Sequence, residues 1–432
     1  MKIPFARVAC DGHELKYVQE VLASGWLTTA GKAFEFEKRF AEAVGAKHAC
    51  SVNSCTAALH LALEAIGIGP GDKVLVPTLT FTATAEVVRY LGADPVFVDI
   101  EYGTGLLTPE IVEHALQIHP GIKAVVVVHF GGQAAAMEGP RDYKTSGQGD
   151  QDGRQKTEDR RRKTEDGGRK TEDGTQMTED GGQKADGILE VCRRRGVRVI
   201  EDAAHAFPTR RNGRMVGSFG DATCFSFYAN KTITTGEGGM LVTNDDAIYA
   251  RAKVMRLHGI DRDIWNRFTA SRPSWEYDVV APGFKYNLPD LAAAVGLAQL
   301  ERAHEFRDRR QAVAERYLAD LAGLPGVDLP RIACALEDHS WHFFWLVLQP
   351  EARLSRDAFI EGLMAREIGF SVHYKPLHRM TYYRDHYQLR PEDFPNAERH
   401  WRGCVSLPLY PGMTDAELDY VVRAVRELLS PA

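Results

Sequence analysis

No stretch of the chain carries the roughly 20 consecutive apolar residues that a helix needs to cross a bilayer, so neither a membrane span nor a membrane partner is expected. The opening residues, Met1-Lys2-Ile3-Pro4-Phe5-Ala6-Arg7, also lack the apolar core of a signal peptide. A cytoplasmic location is the expectation. Cysteine is sparse: Cys10, Cys50, Cys55, Cys192, Cys224, Cys334 and Cys404 are odd in number, scattered and never in a C-x-x-C pair. That pattern points to neither a disulfide framework nor a zinc site. An excess of positive charge is missing as well, with 53 Lys+Arg against 59 Asp+Glu and a formal net charge of −6. This argues against a dedicated nucleic-acid binder. What is present is the composition of a soluble globular protein, 44% hydrophobic and 26% charged over 432 residues. Single cores stop growing near 250–300 residues, so two domains are expected.

After two helical patterns, His13–Leu22 and Phe34–Val44, the segment 49–63 runs from a short strand through Ser54-Cys55-Thr56 directly into a helix. Such a start presents backbone N–H groups to an anion, although on these residues alone an ordinary N-cap by Ser54 or Thr56 is the preferred reading. Strand and helix patterns then alternate: Lys73–Val76, Thr82–Tyr90, Val96–Asp99, Pro109–His119, and the apolar run 124–130. Runs this apolar belong to strands buried on both faces, as in a mostly parallel sheet covered by helices. The run Val197–Ile200 ends in Glu201-Asp202, which puts Asp202 at a strand's carboxyl end, where open α/β sheets bind ligands. Later patterns predict a strand at Met240–Thr243, one long helix from Pro289-Asp290 past Tyr317, and a strand at Trp341–Leu348. Further on they predict a helix over Ser355–Glu367, a strand over Phe370–Tyr374 and a terminal helix over Thr414–Leu429. Leu324-Pro325-Gly326 marks a boundary, giving an expected large α/β domain, 1–322, and a smaller C-terminal α/β domain, 323–432.

Residues 140–187 interrupt this order. From Lys156 a seven-residue unit repeats as KTEDRRR, KTEDGGR, KTEDGTQ and MTEDGGQ. The unit has no apolar a and d positions and too few apolar residues to offset its ordering entropy, so a disordered, charge-balanced insertion is expected. Its flanks, Ala136–Gly139 and Ile188–Cys192, read as a single amphipathic helix start once it is removed.

Lys231 follows the apolar run Phe225-Ser226-Phe227-Tyr228 and precedes the turn Thr232–Gly239, rich in hydroxyls and glycine. A lysine amine, a strand-end carboxylate at Asp202 and the helix start at Ser54–Thr56 are together what pyridoxal 5′-phosphate requires. It needs a Schiff-base amine, an anion beside its ring nitrogen and a phosphate cradle. Phe81 offers a flat group for the ring face.

Several motifs carry a resemblance over nearly everything outside 140–187. They are Ser24-Gly25-Trp26-Leu27-Thr28-Thr29, Ser54-Cys55-Thr56-Ala57-Ala58-Leu59, Pro77-Thr78-Leu79-Thr80-Phe81 and Val128-His129-Phe130-Gly131-Gly132-Gln133. With them go Glu201-Asp202-Ala203-Ala204-His205-Ala206, the stretch around Lys231, Gly283-Phe284-Lys285-Tyr286-Asn287-Leu288, Val372–His378 and Ser406–Pro411. In this order they resemble the DegT/DnrJ/StrS-type sugar-nucleotide aminotransferases, fold-type-I pyridoxal-phosphate enzymes. The Lys285-Tyr286-Asn287 form is similar to the UDP-4-amino-4-deoxy-L-arabinose aminotransferase subgroup.

The resemblance implies that Lys231 forms the Schiff base and shuttles a proton, that Asp202 pairs with the ring nitrogen and that His205 lies near the ring hydroxyl. It implies that Phe81 stacks on the ring, that Cys55, Thr56 and Ser226 bind the phosphate, and that Asn287 reaches in from the neighbouring subunit of a homodimer. Trp26, Tyr374 and His378 are the implied substrate residues. The implied reaction moves an amino group from L-glutamate to a nucleotide-linked keto sugar, by default a 4-keto sugar. Two departures from the family pattern are Cys55, in place of a glycine, and Ala30-Gly31, in place of Gly-Pro. The pair His339/His342 has no carboxylate or cysteine spaced to complete a metal site, and packed histidines are expected there. The competing reading is a regulatory or scaffold protein acting through the repeat insertion. The intact Lys231, Asp202 and Phe81 speak against it.

Overall fold

A computed structural model of the chain describes residues 1–139, 186–261 and 277–430. The repeat segment, with the disorder expected of it, lies outside the described residues. The ends that flank it are described. Ile188 N–H donates to the Ala136 carbonyl (2.9 Å) and Leu189 N–H to that of Met137 (3.0 Å). The helix Ile188–Arg194 begins only there, capped at Gly187. Ala136–Glu138 is not helical, so the expected continuous helix start is corrected: these residues instead supply carbonyls to the first helical amides.

The central sheet contains β1 (His48–Val52), β2 (Lys73–Pro77), β3 (Asp94–Val98), β4 (Ile122–Val128) and β5 (Arg198–Asp202). A two-stranded ribbon, β6 (Arg210–Arg211) with β7 (Arg214–Met215), precedes β8 (Ala222–Ser226) and β9 (Gly239–Thr243). The seven strands lie in the order β1-β9-β8-β5-β4-β2-β3. Only β9 runs against its neighbours; the other pairings are parallel. The apolar run in β4 is buried, with Val125, Val126 and Val127 fully inaccessible, as the helix-covered sheet requires. Carboxyl ends of β1, β2, β4, β5 and β8 therefore converge on one edge.

A second, antiparallel sheet, β10 (Val327–Asp328), β11 (Phe344–Leu348) and β12 (Cys404–Leu407), divides two cores. Side chains alternate along β11: Phe344, Leu346 and Leu348 join Tyr317, Trp341 and Val421 in one cluster, while Trp345 and Val347 join the core of the central sheet. The first of these clusters also takes Ile3 from the amino terminus and Val313 from the helix Ala303–Asp320.

Three element predictions change. The single long helix is two, Asp290–Glu301 and Ala303–Asp320, broken at Arg302 (φ −111°, ψ 7°), whose guanidinium is held by Glu305 and Asp11. The strand predicted from Trp341 begins at Phe344, because Trp341 adopts a left-handed conformation (φ 51°) and residues 340–342 dock elsewhere. Phe370–Tyr374 forms a single bridge, Ser371 to Ser406, in place of a strand. Among the described residues no helix is long and apolar enough to cross a membrane.

Candidate active site

At the convergent strand ends lies a cavity of about 430 Å³, within the range of small-molecule sites. Lys231, Asp202, His205, Phe81, Cys55, Thr56, Ser226 and Tyr374 all line it. Lys231 sits in the loop between β8 and β9, with its backbone N–H on the Tyr228 carbonyl. Its Nζ lies 3.4 Å from His342 Nε2. Burial pulls the amine down to about 8; the charge of Arg310 acts in the same direction, opposed by Cys55 and Asp202. An amine at about 8 is roughly one-tenth neutral at pH 7, far more than an ordinary lysine, as a nucleophilic or proton-carrying lysine needs.

Asp202 ends β5. Its Oδ2 accepts from the Thr84 hydroxyl (2.8 Å) and its Oδ1 from the Ala204 N–H (3.1 Å). Burial raises the carboxyl, and these two donors, Lys231 and His129 work against that rise. Behind it, the Ala135 N–H donates to His129 Nδ1 (3.1 Å), which leaves Nε2 to donate to Glu201 (2.8 Å). The buried Glu201 also accepts from Gly220 N–H and the Thr223 hydroxyl. Both neighbouring strand ends are thus fixed by fully bonded polar groups.

Ser54 caps the helix Cys55–Ala65, its hydroxyl accepting from Ala57 N–H (3.1 Å). The N-cap reading and the anion reading are compatible, since the cap uses the third helical amide and leaves those of Cys55 and Thr56 without intrahelical partners. Gly239, at the start of β9, passes so close that a Cβ there would meet Ser54 C and Cys55 N at 2.5 and 2.6 Å. Residue 239 must therefore be glycine for the turn after Lys231 to seat against the helix start.

His205 shares a hydrogen bond with the Tyr374 hydroxyl (Nε2 to Oη, 3.0 Å) and stacks on His342 at 4.5 Å. Its Nδ1 is buried and has no protein partner, and burial pulls its pKa well below the ordinary value. Phe81 is 57% exposed at the edge of the cavity, 6.1 Å from the Tyr374 ring. An amine, a bonded carboxylate, two free helix amides, a hydroxyl at Ser226 and an unsatisfied imidazole nitrogen fit a phosphate-bearing pyridine aldehyde.

The remaining expectations fall elsewhere. His378 does not line the cavity. Its Nδ1 pairs with the Thr78 hydroxyl (2.8 Å), its Nε2 with Glu398 (2.7 Å), and its ring stacks on Phe394, so no polar atom is left for a substrate. Trp26 and Asn287 are also outside the cavity lining; Asn287 donates to the Thr29 hydroxyl and accepts from Lys285. Sequence reasoning missed His342, which it read as packing, and gave no role to Thr84 or Glu237. The proximity of His342 comes from a distant turn. Ser340 and His342 N–H groups donate to the carbonyls of Gly132 and Gly131, and a Cβ on Gly131 would strike Trp345 at 2.7 Å.

The DegT/DnrJ/EryC1/StrS aminotransferase family model matches residues 9–146 and 181–426. The spore coat polysaccharide biosynthesis protein SpsC of Bacillus subtilis is 40% identical over 434 aligned positions, covering 100% of this chain and 98% of SpsC. The crystal structure of S. venezuelae DesV in complex with a ketimine intermediate is 30% identical, covering 99% of this chain and 98% of DesV, with a TM-score of 0.76. That of DesI in the presence of its TDP-sugar product is 27% identical, covering 99% of this chain and 92% of DesI, also with a TM-score of 0.76. Matched along both flanks of the repeat and superposed end to end on solved relatives, the chain belongs to the DegT/DnrJ/EryC1/StrS aminotransferase family, as a fold-type-I, pyridoxal-phosphate-dependent sugar aminotransferase.

Proposed function

We propose that the protein transfers an amino group from L-glutamate to a nucleotide-linked keto sugar, by default at C-4, in the synthesis of an amino sugar. The observation that carries the reading is the half-buried Lys231 amine in a cavity shared with Asp202 and the free amides of Cys55 and Thr56. A nucleotide-linked acceptor is supported by the TDP-sugar product of DesI. Use of the product in a surface polysaccharide is supported by the naming of SpsC.

Bound pyridoxal phosphate supplies the electron sink and carries the amino group between the two substrates. Lys231 would hold the cofactor and, when its amine is free, would move a proton through Nζ, a task suited to an amine near 8. Asp202, kept in place by Thr84 and Ala204, would offer its carboxylate to the ring nitrogen. Cys55 and Thr56 N–H groups and the Ser226 hydroxyl would hold the phosphate, the unpartnered His205 Nδ1 would serve the ring hydroxyl, and Phe81, also on the cavity wall, would pack on the ring. Tyr374 at the cavity, with Trp26 from the loop after the first helix, is assigned to the sugar. Asn287 stands outside the cavity of its own chain, which supports a homodimer in which it completes the site of the neighbouring subunit. Division into domains at 322/323 belongs to the same reading, with limited proteolysis as its check.

Half-reaction spectra test the function. L-glutamate and a panel of nucleotide-linked amino sugars are added singly to the holoenzyme. Loss of the visible band with L-glutamate and with one nucleotide sugar is the expected result. A band that responds to neither class overturns the proposed substrates.

A further inference from the structure

Arg310, on the helix Ala303–Asp320, is only 2% exposed, yet no carboxylate among the described residues pairs with it. Its Nη1 donates to three backbone carbonyls, those of Trp341 (3.4 Å), His342 (3.1 Å) and Leu409 (3.0 Å), and its Nε has no partner. Buried cations are normally compensated by an anion, so an uncompensated guanidinium calls for a reason. Two of the three carbonyls belong to the segment that delivers His342 to Lys231. Arg310 and Lys231 also line the same narrow void behind the cavity, together with Asn230 and Thr232.

We propose that Arg310 is a positioning residue for Lys231: it clamps the Trp341–His342 backbone so that the imidazole meets the Lys231 amine, and its uncompensated charge opposes a second positive charge there. The clamp is two-sided. Gly131 and Gly132 carbonyls take the N–H groups of His342 and Ser340, while Arg310 takes the carbonyls of Trp341 and His342. His342 is itself held neutral by burial and by the surrounding cations, so its Nε2 can accept from a protonated Lys231 or donate to a neutral one. The other titratable groups lining the cavity around the amine are Asp202, Glu237, Cys55, Tyr228 and Tyr374, which favour its charge when ionised, and His205 and His373, which burial keeps neutral. Arg310, which shares the adjoining void with Lys231, stands apart from these as a cation: burial leaves it at about 10, still charged at neutral pH.

The inference rests on Lys231 as the reactive amine, and the two are tested apart. Borohydride reduction of the holoenzyme with peptide mapping tests whether the cofactor is attached to Lys231. For the inference, the full chain freed of cofactor is trace-labelled with acetic anhydride across pH, and acetylation of Lys231 is read by mass spectrometry. Wild type is expected to label with a midpoint near 8. In folded Arg310→Met the midpoint rises by about one unit, a tenfold smaller neutral fraction at fixed pH, and Arg310→Lys restores it. An unchanged midpoint overturns the charge role. His342→Ala, which keeps Arg310, is expected to raise the alkaline plateau rate by about two- to tenfold, the equivalent of one hydrogen bond of about 0.5–1.4 kcal/mol. An unchanged plateau overturns the clamp, and that arm stands even where Arg310→Met fails to fold.

Discussion

The Thr84 hydroxyl donates to Asp202 Oδ2 at 2.8 Å across 118 residues of sequence, and the same hydroxyl pairs with that of Thr80. One side chain at the start of a helix thereby orients the carboxylate at the end of a strand. Hydrogen bonds to charged groups contribute about 1.5–3 kcal/mol. Thr84→Val is therefore expected to weaken pyridoxal-phosphate binding by about tenfold or more, with Thr84→Ser close to wild type. Cofactor titration followed by absorbance checks it, and equal affinities for Thr84→Val and wild type would remove Thr84 from the site.

Acid should unfold this protein from an unusually high pH. Burial depresses His339 and His373 to about 3 and His400 to about 4. In the unfolded chain each titrates near 6.5, so between these values the unfolded state binds more protons and stability falls as pH falls. Each such histidine removes about 1.4 kcal/mol per pH unit in that window. Melting temperature should drop steeply once the pH passes below about 6.5. His400→Gln, which can still donate to the His373 carbonyl, should flatten the slope.

His378→Ala separates packing from substrate contact. With both ring nitrogens engaged by Thr78 and Glu398 and the ring stacked on Phe394, the substitution should cost about 3 kcal/mol of stability. The KM for the sugar should stay within about twofold, below 0.5 kcal/mol in binding terms. Chemical denaturation and steady-state kinetics measure the two, and a large KM change at unchanged stability would return His378 to the substrate.

Gly239→Ala would force a Cβ into the backbone of Ser54 and Cys55. Overpacking of this kind costs about 1–3 kcal/mol, and here it displaces the helix start itself. Weaker binding of inorganic phosphate and of pyridoxal phosphate, in proportion, is the expected signature in calorimetry; wild-type affinity for both would contradict the cradle.

Much of this site can be read from sequence because its parts lie beside strong local patterns. Asp202 and Ser226 end apolar strands, Cys55 and Thr56 open a helix, and Lys231 sits in a turn rich in hydroxyl and glycine residues. His342 has no such signal. It lies in an apolar stretch that reads as strand, and reaches Lys231 only through the left-handed Trp341 and the Gly131–Gly132 carbonyls, a contact spanning 111 residues. The break at Arg302 is illegible for the same reason: its neighbours are good helix formers, and it is tied to Asp11, 291 residues away. His378 shows the converse, since a motif can place a histidine near a site while tertiary bonds use up both of its nitrogens.

The two backbone hydrogen bonds from Ile188 and Leu189 to Ala136 and Met137 make the chain leave and re-enter the fold at one point. Whatever joins those ends has no distance to bridge, and loop closure grows by only about 0.6 kcal/mol per doubling of length. The position is thus a natural docking port for engineering: a fluorescent reporter or an affinity handle spliced between Gly139 and Asp186 would hang from a hinge already pinned on both sides.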